Sequence, residues 1–105
     1  MSDLSIRTQD DGATTTLYLE GTLDLATVPE LRQVLQGIAP PETTRLVLDV
    51  RDLEFCDSTG LGMMLGALRR MREGGGEFAI SGAHGTVTRL LEVTGLDKII
   101  PLTGS

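Results

Sequence analysis

The period of the apolar positions changes several times along the chain, and each change marks an element. Leu4 and Ile6 alternate with polar neighbours, and beyond Asp10-Asp11-Gly12 the run from Thr14 to Leu19 alternates again, with Leu17 and Leu19 on one side. Two such runs around a turn-forming cluster predict a β-hairpin. The period then becomes helical, with Leu31, Val34, Leu35 and Ile38 in one stripe. Thr27-Val28-Pro29-Glu30 predicts the start of that helix as a capping box: Thr27 at N-cap, Pro29 in the first turn and Glu30 at N3. About three turns are expected, closed by Gly37, Pro40 and Pro41.

Arg45 to Val50 is a nearly unbroken apolar run, the character of a strand covered on both faces. Leu61, Met64, Leu65, Leu68 and Met71 form the face of a second helix that ends at the Gly74-Gly75-Gly76 turn. Glu77 to Ser81 predicts another strand, with Phe78 and Ile80 on one side. Val87, Leu90, Leu91 and Thr94 give a third helix, stopped by Gly95 with Leu96 as the hydrophobic partner of a Schellman cap, and Ile99-Ile100 predicts a last strand before Pro101. Helices alternating with apolar strands imply an α/β fold: a mixed, mostly parallel sheet that starts with an antiparallel hairpin, with helices packed on it through right-handed crossovers. At 105 residues, the expectation is one domain spanning 1–105.

Composition narrows the function. A formal charge of −6 and a pI near 4.6 speak against direct binding of nucleic acid or an anionic membrane, which require clustered cations, and favour a basic protein partner. One cysteine forms no internal disulfide, and no apolar run reaches the roughly 18 residues that would span a bilayer. Met1-Ser2-Asp3-Leu4 lacks a signal-peptide pattern, so a cytoplasmic location is expected.

The chemistry gathers in Phe55-Cys56-Asp57-Ser58-Thr59-Gly60-Leu61-Gly62, where a strand gives way to a helix and two hydroxyls follow an acid. Ser58 or Asp57 falls at the N-cap, where a short oxygen side chain accepts from unpaired amides. Glycines in a first helical turn cost up to about 1 kcal/mol each, so Gly60 and Gly62 imply either close packing or close approach of a partner. Met63 lies off the apolar stripe and is read as an exposed contact for a partner. Asp49, inside its strand, is expected to bond locally, and Arg69, Arg70 and Arg72 form a basic cluster read as a solvated face.

Asp57-Ser58-Thr59-Gly60-Leu61, the apolar strand before it and Gly21-Thr22-Leu23-Asp24 upstream resemble the STAS domain of bacterial anti-sigma factor antagonists, over essentially the whole chain. The resemblance implies that Ser58, the first hydroxyl, is phosphorylated by an anti-sigma factor with serine kinase activity. Thr59 is the second choice of acceptor, because the motif here carries Ser-Thr rather than Ser-Ser, a departure that leaves Ser58 as the implied acceptor. Asp24 would lie beside Ser58 and shape the acceptor site, while its structural alternative is bonding of loop amides. Unphosphorylated, the chain would bind the anti-sigma factor and free a sigma factor; phosphorylated, it would be released, with a phosphatase to reset it. No Walker A or kinase motif is present, so ATP belongs to the partner, the chain needs no cofactor of its own and it is not an enzyme. A phosphate adds about −1.5 to −2 charges beside Asp57. A like charge at about 5 Å costs about 3 kcal/mol at an effective dielectric of 20, against about 0.3 to 1 kcal/mol gained from the helix dipole. Blocked binding rather than unfolding is the expected effect.

Three other readings compete. The domain could serve as an interaction module of a stressosome or a lipid-transport assembly. Cys56 could act as a nucleophile with Asp57 and His84, although a buried thiol and a loop histidine account for both residues more simply. Gly60, Gly62 and Gly66 loosely follow a dinucleotide fingerprint, but the spacing is wrong and Ser81 stands where an acid is expected.

Overall fold

Gly12 and Ala13 alone separate the first two strands, β1 (Leu4–Asp11) and β2 (Thr14–Leu23), and Gly12 takes the left-handed φ of 66° that so tight a turn requires. The computed structural model describes residues 3–104; Met1, Ser2 and Ser105 lie outside the described residues. The chain continues through α1 (Val28–Leu35), β3 (Arg45–Cys56), α2 (Ser58–Glu73), β4 (Glu77–Ser81), α3 (Gly85–Thr94), a 3-10 turn (Leu96–Lys98) and β5 (Leu102–Thr103). The sheet is ordered β1-β2-β3-β4-β5, with β1 antiparallel to β2 and every later pair parallel. This is the mixed α/β sheet with an initial hairpin that the periodicity predicts.

Register explains where the core lies. Leu17, Leu48 and Ile80 stand side by side across β2, β3 and β4 and are fully buried, and they join Leu31, Leu61, Met64, Leu68, Met71 and Leu91 of the helices in one cluster. Their neighbours Tyr18, Asp49 and Ser81 project to the opposite face, which is polar and partly open; Arg7 there lies 4.2 Å from the centre of the Tyr18 ring.

Several boundaries differ from the sequence expectation. Strand β3 runs on to Cys56, because past Val50 only Leu53 and Cys56 are buried and two register shifts against β2 break the alternation that would have marked it. Strand β2 extends to Leu23 beside it. Helix α1 spans 8 residues, about two turns, with Ile38 buried beyond its end. The final strand is not Ile99-Ile100: Ile100 points into the core, and pairing with β4 begins after Pro101, at Leu102 opposite Ile80. Gly95 ends α3 in the left-handed conformation, φ 77°, as expected.

The hydroxyl half of the capping box at Thr27 also does not form. Thr27 occupies the N-cap with a helical backbone, φ −102° and ψ −16°, which turns its hydroxyl back toward the strand rather than onto the first turn. That hydroxyl donates to the Thr22 carbonyl and accepts from the Asp24 amide, both at 2.9 Å. The basic cluster of α2 is structural in part: Arg70 donates to the Leu35 and Gln36 carbonyls at the end of α1, and Arg72 to the Ile99 carbonyl. These arginines satisfy orphan carbonyls that sequence spacing does not reveal.

Candidate functional site

Parallel pairing ends β2 and β3 side by side, with Leu23 opposite Cys56, and the Asp57 amide donates to the Leu23 carbonyl at 3.1 Å. The loop that follows β2 and the first turn of α2 therefore emerge at one end of the sheet, the place where open parallel sheets present their chemistry.

Asp57 is the N-cap of α2. Its backbone is extended, and Oδ1 accepts from the Thr59 amide at 2.9 Å, from the Gly60 amide at 3.1 Å and from the Thr59 hydroxyl. The Thr59 hydroxyl bond is the largest influence holding this carboxyl below the usual carboxylate range; partial loss of water opposes it, and the amides of Gly60, Thr59 and Leu25 reinforce it. Asp57 is thus a fixed anion at helix N1's doorstep, and Ser58 is the first helical residue. The Ser58 hydroxyl is exposed and makes no hydrogen bond among the described residues.

The other residues singled out from the sequence divide by their surroundings. Gly60 is buried, and a Cβ there would come within 2.8 Å of Leu23 Cγ and 2.9 Å of Cys56 Sγ, so its glycine is a packing requirement. Gly62 is exposed and a Cβ would meet nothing within 4 Å. Gly66 is open in the same way, so the three glycines do not share one cradle. Met63 is not an exposed contact: it is half-buried, because it lines an apolar cleft of about 90 Å³ between α1 and α2 with Leu35, Ile38, Gly66 and Arg70. Asp24 lies one residue past Leu23 at the same sheet end, and its Oδ1 accepts from the Ala26 and Thr27 amides at 3.0 and 3.1 Å, which fixes the loop before α1. Asp49 bonds the Arg51 amide at 3.0 Å, the local contact expected of it.

Cys56 is 1 % exposed, and burial together with the Asp57 charge pushes its thiol up to about 12. It donates to the Asp57 carbonyl, while His84 Nε2 lies 2.6 Å from the Arg51 carbonyl oxygen. No thiol–imidazole pair exists, which removes the nucleophilic reading. Among the described residues, no group of three or more His, Cys, Asp or Glu side chains is placed to hold a metal ion, and no helix is long and apolar enough to cross a membrane.

Leu25 is the residue that periodicity passed over. It follows Asp24 on the loop that leaves β2, and its side chain is 73 % exposed. An isolated Leu in a loop gives no sequence signal; only the fold places its loop at the sheet end where α2 begins.

Fold and site together define a small α/β domain that presents an exposed hydroxyl at the start of α2. A family profile described as "Mlab, STAS domain" matches residues 6–102. An anti-sigma-B factor antagonist of Staphylococcus aureus is 32% identical over 98 residues, covering 93% of this chain and 91% of that protein. The chain belongs to the STAS-domain family of anti-sigma factor antagonists. Such relatives are regulatory binding proteins rather than enzymes. Among solved structures, an anti-sigma factor antagonist from Mycobacterium paratuberculosis superposes with a TM-score of 0.86 at 24% identity, covering 97% of this chain and 86% of that one. The Bacillus cell fate determinant SpoIIAA in its phosphorylated form superposes with a TM-score of 0.72 at 22% identity, covering 93% and 90%. Both likenesses establish the fold.

Proposed function

We propose that this chain is an anti-sigma factor antagonist whose Ser58 is phosphorylated by the anti-sigma factor that it binds. The observation that carries the reading is the contrast between the two hydroxyls of the motif: Thr59 is committed to Asp57, and Ser58 is exposed and unbonded among the described residues. The names of the relatives supply the class of partner, and phosphorylated SpoIIAA is an example of this fold carrying the modification.

In the transfer, Ser58 Oγ attacks the γ-phosphorus of ATP held by the kinase partner; the new O–P bond forms as the bond to ADP breaks, and the serine proton leaves to a base. Asp57 is poorly suited to be that base, since three donors and a lowered pKa keep it an acceptor-bound anion. The base and the Mg²⁺ are therefore assigned to the kinase.

Phosphate at Ser58 meets Asp57 and finds no cation close in sequence, because residues 8–31 and 52–68 contain no Lys or Arg. At an interface the dianion loses water without gaining a partner on this chain, so the complex dissociates while the fold persists. A phosphatase restores the hydroxyl. Incubation with ATP and a purified anti-sigma serine kinase, followed by mass spectrometry, tests the reading: wild type gains one phosphoryl group and Ser58→Ala gains none. Labelling that persists at Thr59 in Ser58→Ala would refute the assignment of the acceptor.

A further inference from the structure

Strand β5 joins the sheet too late to complete the outer edge of β4. The Glu77 amide donates to the Thr44 carbonyl on the β3 side at 2.8 Å, while the Ile80 amide donates to the Pro101 carbonyl on the β5 side at 2.9 Å. Backbone groups alternate sides along a strand, so the Phe78 N–H and C=O face the β5 side with those of Ile80. No backbone group meets them there. With Ile80 opposite Leu102, a continued parallel ladder would take the Phe78 amide to the Ile99 carbonyl and the Phe78 carbonyl to the amide at position 101. The Ile99 carbonyl instead accepts from Arg72 at 3.1 Å, and Pro101 has no N–H. Phe78 is 2 % exposed, yet among the described residues these two backbone groups have no partner. A buried peptide edge with both donor and acceptor unmet is rare and costly in a folded chain.

Phe78 lines a cleft of about 240 Å³ together with Ala79, Gly76, Glu77, Arg45 and Arg72. Arg45 is exposed and makes no hydrogen bond or ion pair among the described residues, and Arg72 spends one of its five donors on Ile99. Two guanidinium groups against the single carboxylate of Glu77 make this a cationic spot on a chain of formal charge −6. We propose that the cleft binds the carboxyl-terminal residue of a partner protein's extended tail. The N–H of that residue donates to the Phe78 carbonyl, one carboxylate oxygen accepts from the Phe78 amide, and Arg45 and Arg72 hold the charge. A terminal residue carries an N–H and a carboxylate on one Cα, which complements a single unmet peptide edge beside a cation. The volume, below the roughly 300 Å³ at which drug-sized sites begin, suits one or two residues rather than a whole added strand. Phe78 pairs with Leu46 near the start of β3, whereas Ser58 follows the end of β3, so the site lies at the other end of the sheet and does not depend on Ser58 being an acceptor.

The test follows the Phe78 amide of isotope-labelled protein by NMR during titration with three peptides: acetyl-tetra-alanine with a free carboxyl terminus, the same peptide amidated, and an amidated peptide with one internal glutamate. The free acid is expected to shift the Phe78 amide saturably, with a dissociation constant of about 1 mM for so few contacts. The two amidated peptides should bind at least about tenfold more weakly. Arg45→Gln removes an exposed, unbonded side chain, so it should leave the melting temperature unchanged and weaken the free acid by about threefold or more. A Phe78 amide unmoved at about 10 mM free acid means that water alone serves these groups, and overturns the site. Equal affinity for the free acid and either amidated peptide overturns the carboxyl-terminal assignment. Wild-type affinity in both Arg45→Gln and Arg72→Gln overturns the guanidinium contact and the proposal with it.

Discussion

One oxygen of Asp57 accepts from two amides and a hydroxyl, so this side chain both starts α2 and fixes the negative charge next to Ser58. Asp57→Ala is expected to lower stability by about 1 kcal/mol at pH 7, measured by urea denaturation. Because the folded carboxyl titrates below its ordinary 3.8, its contribution is complete above that value and is lost as pH falls through the folded pKa. The gap between wild type and Asp57→Ala should therefore narrow under strongly acidic conditions; a gap independent of pH would show that the charge is irrelevant. Cys56 gives a second expectation. With its thiol raised to about 12 and buried, native-state alkylation at pH 8 should be at least about tenfold slower than in urea, and equal rates would contradict the assigned burial. At this scale the motif was legible: Asp57, Ser58 and Thr59 are neighbours in the chain, and the cap is a local interaction. Leu25 and the half-buried state of Met63 were not, since both depend on elements that meet only after folding.

The first turn of α2 places one glycine inward and the next outward, and substitution separates their roles. Gly60→Ala forces a methyl against Leu23 and Cys56 and should destabilise by about 1 to 3 kcal/mol. Gly62→Ala enters open space with an ordinary helical backbone and should stabilise by about 0.4 to 1 kcal/mol. Chemical denaturation of the two variants checks both signs, and equal effects would mean that α2 packs differently. The contrast also shows how far pattern reaches. Helical spacing located α2, and Glu77 to Ser81 was recovered with its bounds, because burial there follows a regular period. The second half of β3 was missed because its bulges break the period; the start of α1 was placed, with Thr27 at the N-cap, but Thr27 spends its hydroxyl on Thr22 and Asp24 rather than on the helix.

Over the whole molecule, a formal charge of −6 coincides with two cation-free segments, 8–31 and 52–68, that supply the acceptor end. Association with a basic anti-sigma factor should be steered electrostatically, so the association rate measured by stopped flow is expected to fall roughly tenfold on moving from low to high salt while dissociation changes little. A rate insensitive to salt would reject a charge-complementary partner. The cap on α2 carries one more consequence. Because Asp57 already holds the amides of Thr59 and Gly60, a phosphoryl group arriving at Ser58 would have to compete with that cap for these first-turn donors. Were Ser58 phosphorylated as proposed, the lifetime of the signal would be set by the abundance of the enzymes that add and remove the group, and a cell could retime its response without changing a residue of this protein.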